Sequence, residues 1–461
     1  MNFDETVLHN NPGVRSRVLA ILQAALAAVH PGNAVRAQVR RDGDLLTIAG
    51  RAYDLTQFQR VWVLGAGKAG APMAQALETI LGDRIEAGLV VVKVGHSGPT
   101  QRIEIVEAGH PVPDAAGLAA GQRVLMLAER ADAGDLVIVL LSGGGSALLE
   151  ATAGITLADL QSMTTSLLAC GATIGEINCL RKHVSLLKGG QLARAVYPAT
   201  LVTLVLSDVV GSPLDVIASG PTVPDPTTWT DVMAVVQRLG LAAALPSAVR
   251  ARIEAGNAGR IADTPKPGDR VFQRMQTAVI GDNRVAAMAA CACARTMGYH
   301  ALLLSTFVEG EAREVAKIVA ALGKEALASG HPAPLPICLV LGGETTVTLT
   351  PETGRGGRNQ ELALAAALAL EGLADVTVAA LATDGSDGPT DSAGALVDGG
   401  TVARGRTLGM HAAAALRRHD AYPFLRATGD LLRCGPTQTN VNDLIVIVVD
   451  RRSLVEPGRL D

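Results

Sequence analysis

Aromatic residues are scarce in this chain of 461 residues, at 2% of the total. Proteins that hold single-stranded nucleic acids stack the bases on aromatic side chains, so binding of that kind is not expected. The formal net charge is −4, which provides no basic footprint for a DNA duplex. We therefore expect no nucleic-acid partner.

Long hydrophobic runs are missing as well. The longest clean apolar stretch, residues 136–149, is interrupted by Ser142 and three glycines and is shorter than the roughly 18 residues needed to span a bilayer. The first residues contain acids and no apolar signal-peptide core. The six cysteines include no C-x-x-C pair and have apolar neighbours, which favours buried thiols in a reduced cytoplasm over a zinc site. We expect a cytoplasmic protein without a membrane span.

Apolar residues and glycines are abundant, and they alternate in a way that indicates an α/β protein. Hydrophobic residues make up 48% of the chain, and patterns typical of strands and helices follow one another from residue 61 onwards. This alternation predicts βαβ units, a Rossmann-like domain with a mostly parallel sheet, and a second α/β domain. The polar stretch 254–270 is the best boundary, so we place the domains at 1–260 and 271–461.

The second half repeats the alternation. Strands are predicted at 275–281, 300–306, 336–343, 346–350, 376–385 and 443–450, and helices at 283–298, 309–330 and 359–372.

The stretch "GAGKAG" after the first strand contains Gly65, Gly67 and Gly70 in the G-x-G-x-x-G order of dinucleotide-binding turns. A turn that binds NAD needs an acid at the end of the next strand, about 20 residues on. That strand ends here with Lys93 and His96, so the acid is missing. Lys68, inside the loop, is better explained as a cation aimed at a phosphate or a carboxylate.

A second glycine loop, "SGGGS", follows the strand at 136–141. Its sequence fits neither a Walker loop nor a nucleophile elbow, but its amides and hydroxyl groups suit an anion. Close backbone packing is the alternative explanation of these glycines.

In "INCLRKHVSLLKGG", the residues Asn178, Arg181, Ser185 and Lys188 are spaced to share one face of a helix. A solvated polar face explains this spacing as well as a binding surface does.

In "TDGSDGPTD", Asp384, Asp387 and Asp391 are suited to Mg²⁺ with bound phosphates, or to a turn held by its own aspartates. In "GRGGRNQE", Arg355 and Arg358 precede a helix, and arginine binds phosphate oxygens bidentately.

Taken together, these stretches resemble the class II glycerate 2-kinases. The other motifs that support the resemblance are "EAGHPVPDAAG", "LVLSDVVG", "ASGPTVPD", "GGETTVTL" and "PTQTNVNDL", and it extends from about residue 19 to residue 448. It implies a C-terminal MOFRL region at about 335–448, an active-site cleft between two domains, and phosphorylation of D-glycerate at its 2-hydroxyl by ATP with Mg²⁺. Glycerate is then the small-molecule partner, and a homodimer is left open.

The resemblance also implies roles for individual residues. Lys68 and Arg358 correspond to the proposed catalytic cations of the family. For the mechanism we further expect Asp208 to orient or deprotonate the 2-hydroxyl. The other expected residues are Gly65, Gly67, Gly70, Ser142, Gly143, Gly144, Gly145, Ser146 and Asn440 for the nucleotide; Arg181, Lys182 and Lys188 for glycerate; and Asp384 and Asp387 for the metal.

One position departs from the family pattern, because Gln438 stands where relatives often have glycine. Two other functions stay open. One is an NAD(P)H-dependent hydroxypyruvate reductase, which the G-x-G-x-x-G turn supports. The other is a nucleotide sensor without catalysis, against which the aspartate loop is mild evidence.

Overall fold

The computed structural model describes residues 3–349 and 353–450, and the chain divides into two compact units. Residues 31–280 form what we call the central unit. The terminal unit combines residues 1–30 with residues 281–461. The domain boundary predicted from the sequence lies within 254–270 and leaves the N-terminal helix in the first domain. In the structure the sequence boundaries of the two units are at 30/31 and 280/281.

Helices and strands alternate along most of the chain. In chain order they are α1 (Pro12–Ala28), α2 (Pro31–Gln38), β1 (Val39–Asp42), β2 (Leu45–Ile48), β3 (Arg51–Asp54), β4 (Val61–Ala66), α3 (Gly70–Leu81), β5 (Ile85–Lys93), β6 (Ile103–Ala108), α4 (Ala115–Glu129), β7 (Leu136–Leu141), α5 (Gly145–Leu148), α6 (Leu157–Ala169), α7 (Ile174–Val184), α8 (Gln191–Val196), β8 (Thr200–Leu206), α9 (Trp229–Arg238), α10 (Ser247–Asn257), β9 (Met275–Gly281), α11 (Asn283–Thr296), β10 (His300–Glu311), α12 (Ala312–Ser329), β11 (Ile337–Thr346), α13 (Arg358–Ala369), β12 (Val376–Ala382), β13 (Gly394–Asp398), α14 (Thr401–Thr407), α15 (Ala412–Arg417), α16 (Ala421–Ala427), β14 (Leu431–Leu432) and β15 (Asp443–Val449).

The main sheet of the central unit is mostly parallel, as predicted for a Rossmann-like domain. Its described strands lie in the order β6-β5-β4-β7-β8-β9, and the pairs from β6 to β8 are parallel. Every residue of β4, β7 and β8 is buried, as expected for strands covered on both faces. The strand order reverses between β4 and β7, and ligands of such sheets bind at that point.

A small antiparallel sheet, β1-β2-β3, lies before the main sheet and was not predicted. Each strand has four residues, and "RRDGD", which includes most of β1 and the turn to β2, reads as a polar loop. Strands this short contain too few alternations for a pattern to indicate them.

The predicted polar stripe on residues 177–190 does not form one helical face. Helix α7 ends at Val184, and Ser185 is extended (φ −84°, ψ 156°). Lys188 therefore lies beyond the helix, where the two glycines that follow it adopt positive φ. The helical interpretation holds for Asn178 and Arg181 only.

The described sheet of the terminal unit is mixed, with the order β10-β11-β15-β12-β13-β14. Strands β10 and β11 are parallel, whereas β15 runs antiparallel to both β11 and β12. The second α/β domain is confirmed, but the predicted strand 346–350 is wrong over 347–349, which follow β11 without regular structure. Residue 350 lies outside the described residues.

A buried ion cluster fixes α1 within the terminal unit. Arg15 is fully buried and lies 2.6 Å from both Asp398 and Asp430. Arg404 binds the same two carboxylates, each at 2.9 Å. Burial raises the pKa of Asp430, but the two guanidinium groups oppose that effect by favouring the ionised form.

We predict that Arg15→Ala destabilises the protein by about 3 kcal/mol, because two buried carboxylates then share one remaining guanidinium group. Urea unfolding would measure the loss. The matched control is Arg40→Ala, which removes an exposed arginine of β1 and should leave stability nearly unchanged. Equal effects of both substitutions would contradict a structural role for the cluster.

Candidate active site

The loops that follow β4 and β7 are joined by hydrogen bonds at the reversal point of the central sheet. The amide of Ser142 donates to the carbonyl of Ala66 at 3.1 Å, and the amide of Lys68 donates to the carbonyl of Gly143 at 2.9 Å. The amide of Ala69 donates to Ser142 Oγ at 3.0 Å. The "GAGKAG" and "SGGGS" loops therefore form one surface.

The glycines of the first loop are explained by close packing. A Cβ atom at Gly65 would collide with the carbonyl of Leu140, and one at Gly67 would collide with Ser142. A Cβ atom at Gly70 would lie 2.6 Å from Val90 Cγ1.

The amides of this loop are also occupied. The amide of Gly67 donates to Val91 O and that of Gly70 to Gly67 O, each at 3.0 Å, while those of Lys68 and Ala69 hold the second loop. A pyrophosphate would need these donors. We therefore correct the expectation that Gly65, Gly67 and Gly70 bind the cofactor directly: in this geometry they support the neighbouring loop.

Lys68 and His110 lie together above Gly144. A methyl group added to Gly144 would lie 3.0 Å from His110 Nε2 and 3.4 Å from Lys68 Cε. Burial and the positive charges of Lys68, Lys93 and His96 lower the pKa of His110 to about 4, so this imidazole is neutral at pH 7. Among the described residues, no carboxylate lies within ion-pair distance of the Lys68 ammonium. The half-buried lysine is therefore available to an anion.

The "SGGGS" loop supplies donors beside that lysine. Gly144 adopts the left-handed conformation, with φ of 82°. In the part of the chain that the structure describes, the amides of Gly143 and Gly144 donate to no protein acceptor. Asp208, which follows β8, packs against Gly143 so closely that a Cβ atom there would collide with its carboxylate. The loop thus has donor amides at Gly143 and Gly144, with the carboxylate of Asp208 against Gly143 and the side chain of Lys68 beside Gly144.

Ser146 ends a chain of polar side chains. Its Oγ lies 2.7 Å from Ser219 Oγ, and Ser219 donates to Asn178 Oδ1 at 3.1 Å. Ala218 and Ser219 have φ of 50° and 59°, values that cost L-residues about 1–3 kcal/mol each. Strain of this kind concentrates at functional sites.

The three basic residues near α7 differ in their surroundings. Lys188 is fully buried and donates to Glu150 Oε2 at 2.6 Å and to Leu149 O at 2.7 Å. Lys182 is 3% exposed and pairs with Asp225 at 3.3 Å and Asp215 at 3.4 Å.

Arg181 has no such partner. Burial lowers the pKa of Arg181, while the charge of Glu150 acts in the opposite direction, and among the described residues its side chain forms neither an ion pair nor a hydrogen bond. Of the three predicted glycerate ligands, Arg181 therefore has its guanidinium group available, whereas the two lysines hold the loops in place.

In the terminal unit, Arg358 is bound by two acids. Its Nε and Nη2 donate to Asp443 at 2.6 and 2.9 Å, and its Nη1 lies 3.2 Å from Glu344. Burial raises the pKa of Asp443 to about 6, although Arg358 acts in the opposite direction. Both acids were missed, even though they stand in the quoted motifs "GGET" and "VND". Asp443 and Glu344 are far from Arg358 in the sequence, so no local pattern of residues indicates that they pair with it.

Asp387 does not have the surroundings of a metal ligand. It is 1% exposed, and its carboxylate accepts from the amides of Asn359 and Gln360 at 3.1 and 2.9 Å, which caps α13. Asp384 is half-buried, and one of its oxygens accepts from Ser386 N at 3.0 Å. Within the described ranges, no three His, Cys, Asp or Glu side chains are arranged to hold a metal ion. Of the two predicted ligands, Asp384 stays a candidate.

The loop before β15 contains the departure from the family pattern. Gln438 and Asn442 have φ of 62° and 65°, where glycine is favoured. Asn440 Oδ1 accepts from the amide of Asn442 at 3.1 Å, so this predicted nucleotide ligand also shapes its own loop.

Comparison with known proteins agrees with these motifs. The model of a domain of unknown function, DUF4147, matches residues 17–254, and that of the MOFRL family matches residues 337–443. Glycerate 2-kinase of Pyrococcus horikoshii is 38% identical over 437 residues, which cover 95% of this chain and 97% of that protein. The chain belongs to the glycerate kinase family.

Two further proteins are similar to this member of the glycerate kinase family over most of its length. The crystal structure of glycerate kinase from Thermotoga maritima superposes with a TM-score of 0.86 at 39% identity, covering 95% of this chain and 100% of that one. A putative hydroxypyruvate reductase of Agrobacterium vitis is 44% identical over 85% of this chain and 87% of its own length. The second name corresponds to the alternative function considered above. Among the described residues, no helix has by itself both the length and the apolar character needed to cross a membrane.

We predict that Gln438→Gly stabilises the protein by about 1 kcal/mol, because glycine adopts a φ of 62° without strain. The side chain is exposed, so its removal should disturb no packing. Gln438→Ala, which keeps the strain, is the control and should leave the midpoint of urea unfolding nearly unchanged. If Gln438→Gly is no more stable than Gln438→Ala, backbone strain at position 438 does not reduce the stability of the protein.

Proposed function

We propose that the protein transfers the γ-phosphoryl group of ATP to the 2-hydroxyl of D-glycerate in the presence of Mg²⁺. The observation that carries this proposal is the available ammonium of Lys68 beside the donor amides of Gly143 and Gly144. Family membership gives the substrate class, since the relatives named above include glycerate kinases.

Phosphoryl transfer requires positioning and neutralisation of charge more than covalent chemistry by the protein. The amides of Gly143 and Gly144 would hold phosphate oxygens, and Lys68 would neutralise charge on the transferred group. Asp208, placed against the same loop, would orient the 2-hydroxyl and accept its proton. His110 is neutral at pH 7, so its imidazole does not repel the ammonium of Lys68 that would bind the anion.

Arg181 would bind the carboxylate of glycerate. Its guanidinium group forms no ion pair or hydrogen bond within the described residues, although the charge of Glu150 acts on it, and a planar guanidinium matches a carboxylate with two parallel hydrogen bonds. Lys182 and Lys188 would act indirectly, by holding the chain on either side of Ser185.

Asp384 would hold Mg²⁺, since this ion often takes only one or two carboxylates from the protein. When bound, the ion supplies positive charge to the phosphates. Arg358 would act as the second cation implied by the resemblance, and Asp443 and Glu344 keep its guanidinium group in a fixed orientation.

The reductase alternative has no supporting observation in the central unit. Strand β5 ends at Lys93 without the acid that would bind ribose hydroxyls, and the amides of the first glycine loop are occupied. A sensor without catalysis would not need a carboxylate against the glycine loop, and Asp208 supplies one.

We predict that the protein forms ADP from ATP, Mg²⁺ and D-glycerate and does not oxidise NADH or NADPH with hydroxypyruvate. Lys68→Ala should lower kcat about 10²- to 10³-fold, because a preorganised charge at the transferred group is lost. Coupled assays for ADP and for NADH oxidation measure both activities. The control Lys324→Ala removes an exposed lysine of α12 and should retain full activity. Reductase turnover without ADP formation would overturn the proposal.

For the metal, we predict opposite effects of two neighbouring substitutions. Asp384→Asn should raise the Mg²⁺ concentration needed for half-maximal activity at least tenfold and leave the melting temperature nearly unchanged. Asp387→Asn should lower the melting temperature, because only one of the two capping oxygens of residue 387 remains an acceptor and one amide of α13 loses its partner, at a cost of about 1–2 kcal/mol. Its Mg²⁺ requirement should stay normal. If Asp387→Asn alone changed that requirement, Asp384 would be the wrong ligand.

A further inference from the structure

Three buried or half-buried polar side chains of the central unit form a continuous chain that leads to the "SGGGS" loop. Ser219 is fully buried and Asn178 is 6% exposed, while Ser146, at the other end, is half-buried. Polar groups buried to this degree normally have hydrogen-bond partners. Here the chain of hydrogen bonds ends at the side-chain amide of Asn178.

The hydrogen bonds of this chain have one direction. The carbonyl oxygen of the Asn178 side chain can only accept, so the single proton of Ser219 Oγ points towards it. Ser219 is then the acceptor at its 2.7 Å contact with Ser146, and the proton of Ser146 Oγ is used in that contact. Ser146 therefore presents only lone pairs to a ligand.

An acceptor at this place does not suit a phosphate, whose oxygens also accept. It suits a hydroxyl group. The reacting 2-hydroxyl must lose its proton, whereas this chain ends in an amide, which takes up no proton at neutral pH. The chain therefore fits a hydroxyl that keeps its proton during the reaction, and glycerate has one such group, at carbon 3.

The position of the chain agrees with binding of a hydroxy acid. Asn178 and Arg181 are three residues apart on α7 and so lie on one side of that helix. Arg181 would bind the carboxylate, and the strained φ angles of Ala218 and Ser219 fix the hydroxyl group of Ser219 between α7 and α5.

We infer that Ser146 Oγ accepts a hydrogen bond from the 3-hydroxyl of glycerate, and that Ser219 and Asn178 are positioning residues that direct its lone pairs to the substrate. The chain thereby selects glycerate over a 2-hydroxy acid that has a methyl group at carbon 3. This inference rests on the proposed function and corrects the expectation that Ser146 binds the nucleotide.

The test compares D-glycerate with D-lactate, which lacks the 3-hydroxyl. For the wild type, kcat/KM for glycerate should exceed that for lactate by at least tenfold, because lactate leaves a desolvated acceptor unpaired. Where lactate turnover is too slow to measure, its inhibition constant against glycerate replaces it. Ser146→Ala should reduce the preference at least fivefold by lowering kcat/KM for glycerate while the value for lactate changes little.

Two further variants test the direction of the chain. Ser219→Gly removes the acceptor for Ser146 and suits the φ of 59°, so it should weaken the preference without loss of folding. Asn178→Asp keeps an acceptor at the end of the chain and should retain the preference. The control Ser162→Ala removes an exposed hydroxyl on α6 and should behave as the wild type. Thermal melts check folding throughout.

The possible failures are distinguishable. If the wild type forms no ADP with either acid, the proposed function fails. If the wild type phosphorylates glycerate and Ser146→Ala lowers kcat/KM for both acids equally, Ser146 does not read the 3-hydroxyl and the inference is overturned. If Ser146→Ala changes KM for ATP and leaves the preference between the acids unaltered, Ser146 binds the nucleotide, and the inference is also overturned.

Discussion

The hydrogen bonds that join the loops after β4 and β7 are the constraint on which the candidate site depends. They use the amides of Ser142, Lys68 and Ala69, and they require glycine at positions 65 and 67, because any side chain there would collide with β7 or its loop. The loop that in dinucleotide-binding proteins supplies amides to a pyrophosphate is thereby turned into a support. In the proposed function, the amides of Gly143 and Gly144 and the side chain of Lys68 bind the anion instead, which is a different chemistry from that suggested by the G-x-G-x-x-G order.

Charge pairing separates the cations that hold the fold from those that remain available. Lys182, Lys188 and Arg15 are buried against carboxylates, and removing either partner would leave a buried charge uncompensated. Lys68 and Arg181 are half-buried and form no ion pair within the described residues, although the charge of Glu150 acts on Arg181. A half-buried cation outside an ion pair gains from an anionic ligand, which supports the roles proposed for these two residues.

Backbone strain occurs where loops meet the candidate sites. Ala218 and Ser219 in the central unit, and Gln438 and Asn442 in the terminal unit, have positive φ without being glycine. Such conformations persist only where surrounding contacts over-determine them. At Ser219 those contacts are the bonds to Ser146 and Asn178, which are the ones that the substrate preference is inferred to need.

The sequence by itself determined the α/β class, the buried strands and the loops at their carboxyl ends, because apolar runs and glycines are local patterns with a fixed period. It also identified the family and the motifs that contain Lys68, Asp208, Arg181 and Asp384. Short polar strands such as β1 were not predicted, since four residues contain too little periodicity. The end of α7 at Val184 was not predicted either, because the polar spacing continues beyond it. Only the tertiary structure decided which charges are paired, that Asp387 caps α13, and that Asn178, Ser219 and Ser146 form one chain. These outcomes depend on contacts between segments far apart in the sequence, and no local pattern of residues specifies which segments will meet.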